Sequence, residues 1–146
     1  MPSFQKESRS GTCIFCEVVA RRAPASLVAE NSLSVTFLTV GPIRAGHTLV
    51  VPKRHAVELT DATLEELAAV FQLGAEIARR QRRLLGSDGE TLFLASGIAG
   101  EQSVFHLHLH VVPRAEGDEI DLSCWWETRV RKTSRSELDS VAAKLR

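Results

Sequence analysis

Three histidines stand two residues apart in the stretch FHLHLHVVPR: His106, His108 and His110. The whole chain holds only five histidines, so this stretch takes most of them. Leu107, Leu109 and Val111 fill the gaps. In a strand, alternate side chains share a face. The imidazoles would then line one face over roughly 13 Å, at about 3.3 Å per residue. The apolar residues line the opposite face, where they can enter a core. Thr or Lys would serve an ordinary solvated face with no need for imidazole. Two chemistries stay open. One is a zinc site using histidines two apart on a strand. The other is nucleophilic catalysis, in which neutral imidazole attacks through one nitrogen while the other donates to a carbonyl that fixes the tautomer.

Near the start, Cys13-Ile14-Phe15-Cys16 has the C-x2-C spacing that lets two thiolates reach one tetrahedral metal. A redox reading would want a βαβ context after a strand, which the sequence does not offer. The bland alternative is two small buried residues. A metal needs two further ligands, and His55 and one histidine of the 106–110 stretch are available. A closed Cys2His2 set would be structural, because it leaves no open position for a substrate water. The third cysteine, Cys124, makes the count odd, which argues against a disulfide framework and for a reducing cytoplasm.

These residues need a scaffold, and 146 residues suit one domain with its own core. Hydrophobic residues make up 44% and charged residues 25%, with eighteen basic against eighteen acidic groups. That balance gives no global attraction to nucleic acid or to an acidic membrane. No apolar run approaches the roughly 18 residues of a membrane span. Residues 1–11 are polar and read as a flexible tail, leaving 12–146 as a single domain.

The elements follow from periodicity and punctuation. CIFCEVVARR reads as a short helix ending before Pro24. SLVAE and SLSVTFL read as strands turning at Glu30 and Asn31. A Gly/Pro loop, VGPIRAG, leads into a buried strand HTLVVP. Thr63 to Leu85 is the strongest helix. Its Leu64, Leu67, Ala68, Phe71, Ala75 and Ala78 share one face, Thr63 and Glu66 fit a capping box, and Gly86 helps end it. TLFLAS is a fourth strand. Val104 to Val112 is the fifth, with Pro113 blocking further ladder donation. A C-terminal helix begins near Ser134 or Ser136. Short connections between strands and one inserted long helix indicate α+β, with a mainly antiparallel five-stranded sheet.

With these motifs in place, the chain resembles the histidine triad (HIT) family of nucleotide hydrolases and transferases. The pattern His-φ-His-φ-His-φ-φ, with φ apolar, is met by His106 to Val112. CIFC, AGHTLVVPKRH (Ala45 to His55) and AGEQSVFHLHLHVVPR (Ala99 to Arg114) support it, so the likeness runs from Cys13 to Arg114. The resemblance implies a HIT-like fold and a covalent nucleotidyl-histidine formed on His108 by attack at an α-phosphorus. It implies that His110 and His47 position that nucleophile and contact phosphate, and that Ser103 and Gln102 touch phosphate or leaving group. It places Phe15, Val18, Phe37 and Leu38 where the family builds its base pocket. By analogy with zinc-bearing bacterial members, Cys13, Cys16, His55 and His106 hold a structural zinc ion. Nucleoside phosphoramidates and dinucleoside polyphosphates are the implied substrates, and a homodimer formed through the long helix and a strand is the implied assembly.

Two positions depart from the family pattern. Thr39 stands where the family has Asp or Asn on the ribose hydroxyls, and threonine cannot accept bidentately. Ala95 stands where Asn or Gln reaches the phosphate. Both changes imply weaker purine nucleotide binding, and they motivate an alternative reading as a nucleotide- or zinc-binding module with little turnover. Trp125 and Trp126 read as packing or a subunit interface. Arg79 to Arg83 reads as a solvated basic face, with no nucleic acid or membrane partner expected.

Overall fold

The computed structural model describes residues 12–121 and 133–146. The expected tail, Cys124, Trp125 and Trp126 lie outside the described residues. Two compact units divide the chain, one ending at Glu116 and the other beginning at Gly117. In the second, helix α3 (Arg135–Leu145) starts at Ser134, whose Oγ accepts from the Glu137 N–H in a capping box. Ser134 is therefore the cap.

The first unit is built on five strands: β1 (Leu27–Glu30), β2 (Ser34–Leu38), β3 (Thr48–Pro52), β4 (Gly89–Phe93) and β5 (Leu109–Arg114). They form one sheet in the order β1-β2-β3-β5-β4, every neighbouring pair antiparallel. Asn31 closes the β1–β2 turn by accepting from the Ser34 N–H at 2.8 Å. The expected α+β architecture is the one found.

Alternation gives the sheet two faces. On one, Val50, Leu109 and Val111 pack with Val70, Leu73 and Ile77 of helix α2 (Leu64–Leu85). On the other, Val35, Phe37, Leu49 and Val51 pack with Phe15 and Val18 of the short helix α1 (Ile14–Val19). The capping box of Thr63 and Glu66 starts α2, and Gly86, in the left-handed region at φ 66°, ends it.

The face of α2 turned to the sheet is not the one its periodicity singles out. Glu66, Ala69, Val70, Leu73, Gly74, Ile77 and Gln81 are buried, whereas Leu64 is 82% and Phe71 49% exposed. The helix carries two apolar stripes, and hydrophobicity alone cannot choose between them. Two interactions decide. The Glu66 carboxylate accepts from Arg54 Nε at 2.7 Å, and Gln81 Nε2 donates to the carbonyls of Gly46 at 3.0 Å and Val111 at 3.2 Å. Both polar residues must face inward to make these bonds. Gly74 permits the approach, since a Cβ there would lie 2.9 Å from Leu109 Cδ2.

The fifth strand also starts later than expected, at Leu109 rather than Val104. Its pairing with β3 begins at Val50↔Leu109. Further along, β3 reaches Pro52, which has no N–H for a ladder. The chain adapts: Leu107 N–H donates instead to the Ala56 carbonyl at 2.7 Å. His106 and His108 therefore sit just before the regular strand, and only His110 lies within it. Pro113 does not end the strand, which runs to Arg114 with Pro113 opposite Glu90.

Candidate functional site

The histidines are held by partners that fix where each proton sits. His108 Nδ1 lies 2.7 Å from the carbonyl oxygen of His106. A carbonyl can only accept, so Nδ1 carries the hydrogen and Nε2 is the bare nitrogen. His47 obeys the opposite rule. Its Nδ1 accepts from the Ile43 N–H at 3.1 Å, so its proton is on Nε2 and is donated to His110 Nδ1 at 2.9 Å. His110 then keeps its own proton on Nε2. The His108 and His110 ring centroids are 4.9 Å apart. Burial lowers the pKa of His47 and of His108, the latter partly offset by the bond to the His106 carbonyl. His110 is pushed down to about 3, first by burial and then by His108 and His47. His47 and His110 must be neutral because each accepts a hydrogen bond at Nδ1, and burial keeps His108 neutral near pH 7.

Each ring is placed by a local device. The His47 peptide carbonyl accepts from Thr39 N–H at 3.2 Å, and Thr39 Oγ1 accepts from Gly41 N–H at 3.3 Å. Gly46, at φ 91°, turns the chain just before His47. Its carbonyl receives the Gln81 amide, and the same amide holds Val111 beside His110. One buried side chain on α2 thus braces both histidine-bearing segments. Nothing in its helical periodicity marks it, although a glutamine among apolar positions is the available signal. Phe93 is a second residue that sequence reasoning passed over. It pairs with His110 across β4 and β5, and its ring stacks on that imidazole at 4.1 Å and 10°.

The loop before the triad is organised by Gln102. Its Oε1 accepts from Gly97 N–H at 2.8 Å, and its Nε2 donates to the carbonyls of Val57 at 2.6 Å and Val104 at 2.9 Å. Both amide protons are thereby committed to backbone, whereas the resemblance gave this residue a phosphate or leaving-group contact. Neighbouring Ser103 is exposed. Phe15, Val18 and Phe37 are buried in the core while Leu38 is 40% exposed. Phe15 still reaches the site, its ring edge-on to His108 at 5.3 Å and to Phe37 at 5.4 Å. Ala95 is half-buried.

His106 meets the same Phe15 ring, edge-on at 5.9 Å, and serves a different group. Its Nε2–H donates to the Pro52 carbonyl at 2.8 Å, leaving Nδ1 unprotonated. That nitrogen lies 3.4 Å from Cys13 Sγ and 3.5 Å from Cys16 Sγ. His55 Nδ1 is 3.2 Å from Cys16 Sγ. The four ligand atoms all fall within 4.8 Å of one another. Zinc bonds of about 2.0–2.3 Å in a tetrahedron put ligand atoms roughly 3.3–3.8 Å apart; the three closest spacings, 3.2–3.5 Å, match this, and the wider ones need a small contraction of the cluster. The donor set fits as well, two soft thiols and two imidazoles. Burial and the adjoining Cys13 push the Cys16 thiol up to about 11, so a cation is what would favour a pair of thiolates here. A cavity of about 630 Å³ opens beside this cluster, lined in part by Thr12, Arg22 and Phe105.

His55 is carried on a segment that Arg54 anchors. Arg54 makes a two-pronged ion pair with Glu66, at 2.7 and 2.8 Å, and donates to the Asp61 carbonyl at 2.7 Å. Arg54, then Thr63, hold the Glu66 pKa down to about 2.

Comparison with known proteins is consistent with this geometry. Residues 20–117 match the HIT domain. An uncharacterized HIT-like protein of Mycobacterium tuberculosis is 40% identical over 111 residues, 76% of this chain and 77% of that one. HINT3 of Arabidopsis thaliana, named an adenylylsulfatase, is 29% identical over 133 residues, 91% of this chain and 65% of that one. A zinc-bound histidine triad family protein of Mycobacterium smegmatis has a crystal structure similar to this fold. It superposes with a TM-score of 0.74 at 38% identity, over 93% of this chain and 96% of that one.

The Glu66 geometry sets an acid limit. Its carboxylate is favoured in the folded state, so its contribution to stability is fully present above the usual value of 4.5 and is lost as pH falls toward about 2. Chemical denaturation of Glu66→Gln and wild type between pH 7 and pH 2.5 checks this. The gap between the two should be widest at neutral pH and should close as the pH drops. A gap independent of pH would show that the ion pair does not depress this carboxyl.

Proposed function

The chain belongs to the HIT domain family, and from that membership we propose that it is an enzyme, a nucleotide hydrolase or transferase acting through His108. The Nε2 lone pair of His108 forms a bond to the α-phosphorus of a nucleotide conjugate. The bond from phosphorus to the leaving group breaks, and the leaving group departs with its electron pair. Water, or another acceptor, then attacks the same phosphorus and the N–P bond returns its pair to Nε2. In hydrolysis one water is consumed, its hydroxyl ending on phosphorus and its proton on the leaving group. The Nε2–H of His110, aligned by His47, donates to a phosphoryl oxygen as charge grows there. Splitting the displacement in two lowers each barrier.

The observation that carries this reading is the His108 Nδ1–H bond to the His106 carbonyl, which leaves Nε2 free to attack. The name of the Arabidopsis relative, adenylylsulfatase, is consistent with hydrolysis of an adenylyl conjugate. Nucleoside phosphoramidates and dinucleoside polyphosphates are the proposed substrates. The base lies against Phe15 and Phe37 and the ribose by Thr39, with Ser103 at the phosphate or leaving group and Gln102 shaping that loop. Incubation with an adenosine phosphoramidate or a diadenosine polyphosphate, followed by intact-mass measurement, should detect a nucleotidyl adduct. His108→Ala should abolish the adduct and lower turnover at least about 10³-fold. Absence of both adduct and turnover in wild type would leave a binding module without catalysis, the reading favoured by Thr39 and Ala95.

We also propose that Cys13, Cys16, His55 and His106 hold one structural zinc ion. Zinc there would supply no chemistry to the reaction; with all four positions filled it would tie α1 to the segments bearing His55 and His106. A cytoplasmic location would keep the thiols reduced, and no helix among the described residues is long and apolar enough to cross a membrane. Elemental analysis of protein purified without chelator should give about one zinc per chain, lost in Cys16→Ser together with a lower melting temperature. Less than about half an equivalent in wild type would reject the site.

The exposed stripe on α2, with Leu64 at 82% and Phe71 at 49%, supports a homodimer that covers it. Sedimentation should show a dimer, and Phe71→Glu should yield monomers, since a charge cannot be buried unpaired. A monomeric wild type at micromolar concentration would refute the assembly.

A further inference from the structure

Phe93 stands at the end of β4, an outer strand of the sheet, and pairs in register with His110. In antiparallel strands such partners project to the same face. The two rings lie nearly parallel, 10° apart, with centroids at 4.1 Å. His47 and His110, joined by their hydrogen bond, form a two-imidazole relay, and Phe93 also meets its second ring, with its centroid 6.4 Å from that of His47 and the planes tilted by 56°. It is 40% exposed, so a large aromatic is kept at the surface of an outer strand, where burial gives only part of its usual gain.

Among the described residues, His110 has one in-plane anchor, the bond from His47 Nε2–H to its Nδ1 at 2.9 Å. A single bond at one ring atom fixes a point. It leaves the ring free to tilt about that contact and so to swing the opposite nitrogen, Nε2. A flat surface against the ring face removes that freedom, because tilting would separate or collide the stacked rings. The two constraints are complementary: the hydrogen bond fixes where Nδ1 lies, and the stack fixes the plane.

We propose that Phe93 is a positioning residue, whose ring sets the plane of His110 and thereby the direction in which the His110 Nε2–H points into the site. The kinetic part of this inference rests on the nucleotidyl-transfer reading above. The structural part does not. Stacking also covers one face of His110 against water, in keeping with the neutral ring that the relay requires.

The experiment compares Phe93→Leu, Phe93→Met and Phe93→Tyr with wild type. Long-range proton–nitrogen NMR on the imidazoles reads the His110 tautomer without any substrate. Wild type and Phe93→Tyr should show a single His110 form protonated at Nε2. Phe93→Leu and Phe93→Met should keep that tautomer, held by His47, but show exchange-broadened His110 ring signals as the plane is freed, with folding checked by the core methyl spectrum. With a nucleotide substrate, kcat should fall about 10- to 100-fold in the Leu and Met variants with KM within about twofold, because orientation is lost while binding is not. Phe93→Tyr should recover most of the loss. An unchanged His110 signal in a folded Leu or Met variant would overturn the proposal. So would a raised KM at constant kcat, which would make the ring a substrate contact. Should no nucleotide be turned over even by wild type, the nucleotidyl reading fails and the NMR comparison still decides the role of Phe93.

Discussion

One peptide carbonyl, that of His106, determines what this site can do. Its oxygen receives the Nδ1–H of His108 at 2.7 Å and so selects which nitrogen of that ring is basic. The side chain of the same residue points elsewhere. Its Nε2–H is given to Pro52, and its Nδ1 is offered to two thiols. The next residue, Leu107, donates its N–H to Ala56 and is fully buried. A carbonyl held by so many neighbours cannot rotate away from His108. A hydrogen bond of ordinary strength becomes decisive because the group that accepts it has no freedom left.

The two faces of the sheet divide the labour. The α2 side is mainly apolar, made tighter by Gly74, with the buried Glu66 and Gln81 bound to partners at its two ends. The α1 side mixes aliphatic residues with imidazoles whose hydrogens are assigned by backbone groups. Burying neutral imidazoles is costly only when a ring N–H is left without a partner. His106 and His108 each give one nitrogen to a carbonyl, and His47 gives one to Ile43 and one to His110. The same burial that threatens stability holds the rings neutral, which a nucleophile and a hydrogen-bond donor both need.

Much of this was readable in the sequence, and what was not shares a cause. The alternation of His106 to Val111 gives the two-faced segment, the capping box gives the start of α2, and Gly86 its end. C-x2-C with His55 and one triad histidine, named as His106 only through the family resemblance, gives the cluster that the structure brings together. The inward face of α2 was hidden because Glu66 and Gln81 are buried for their partners, which lie 12 to 35 residues away in the chain. The late start of β5 depended on Pro52 in another strand. Phe93 gained its meaning only from the register of β4 on β5. Local pattern reports hydrophobicity and turn chemistry, while each of these features is a pairing between distant segments.

Gln81 gives the molecule a further property. Its two amide protons link the turn before His47 to the strand bearing His110, and the residue itself belongs to the last third of α2. That end of the helix cannot lift from the sheet without releasing both histidine segments in the same event. The outer end of α2 and the relay therefore form one cooperative opening unit, and its backbone amides should exchange with solvent together rather than fray in sequence. Fluctuations of the scaffold would then reach the site as rare, complete openings, and between them the imidazoles would keep a fixed geometry.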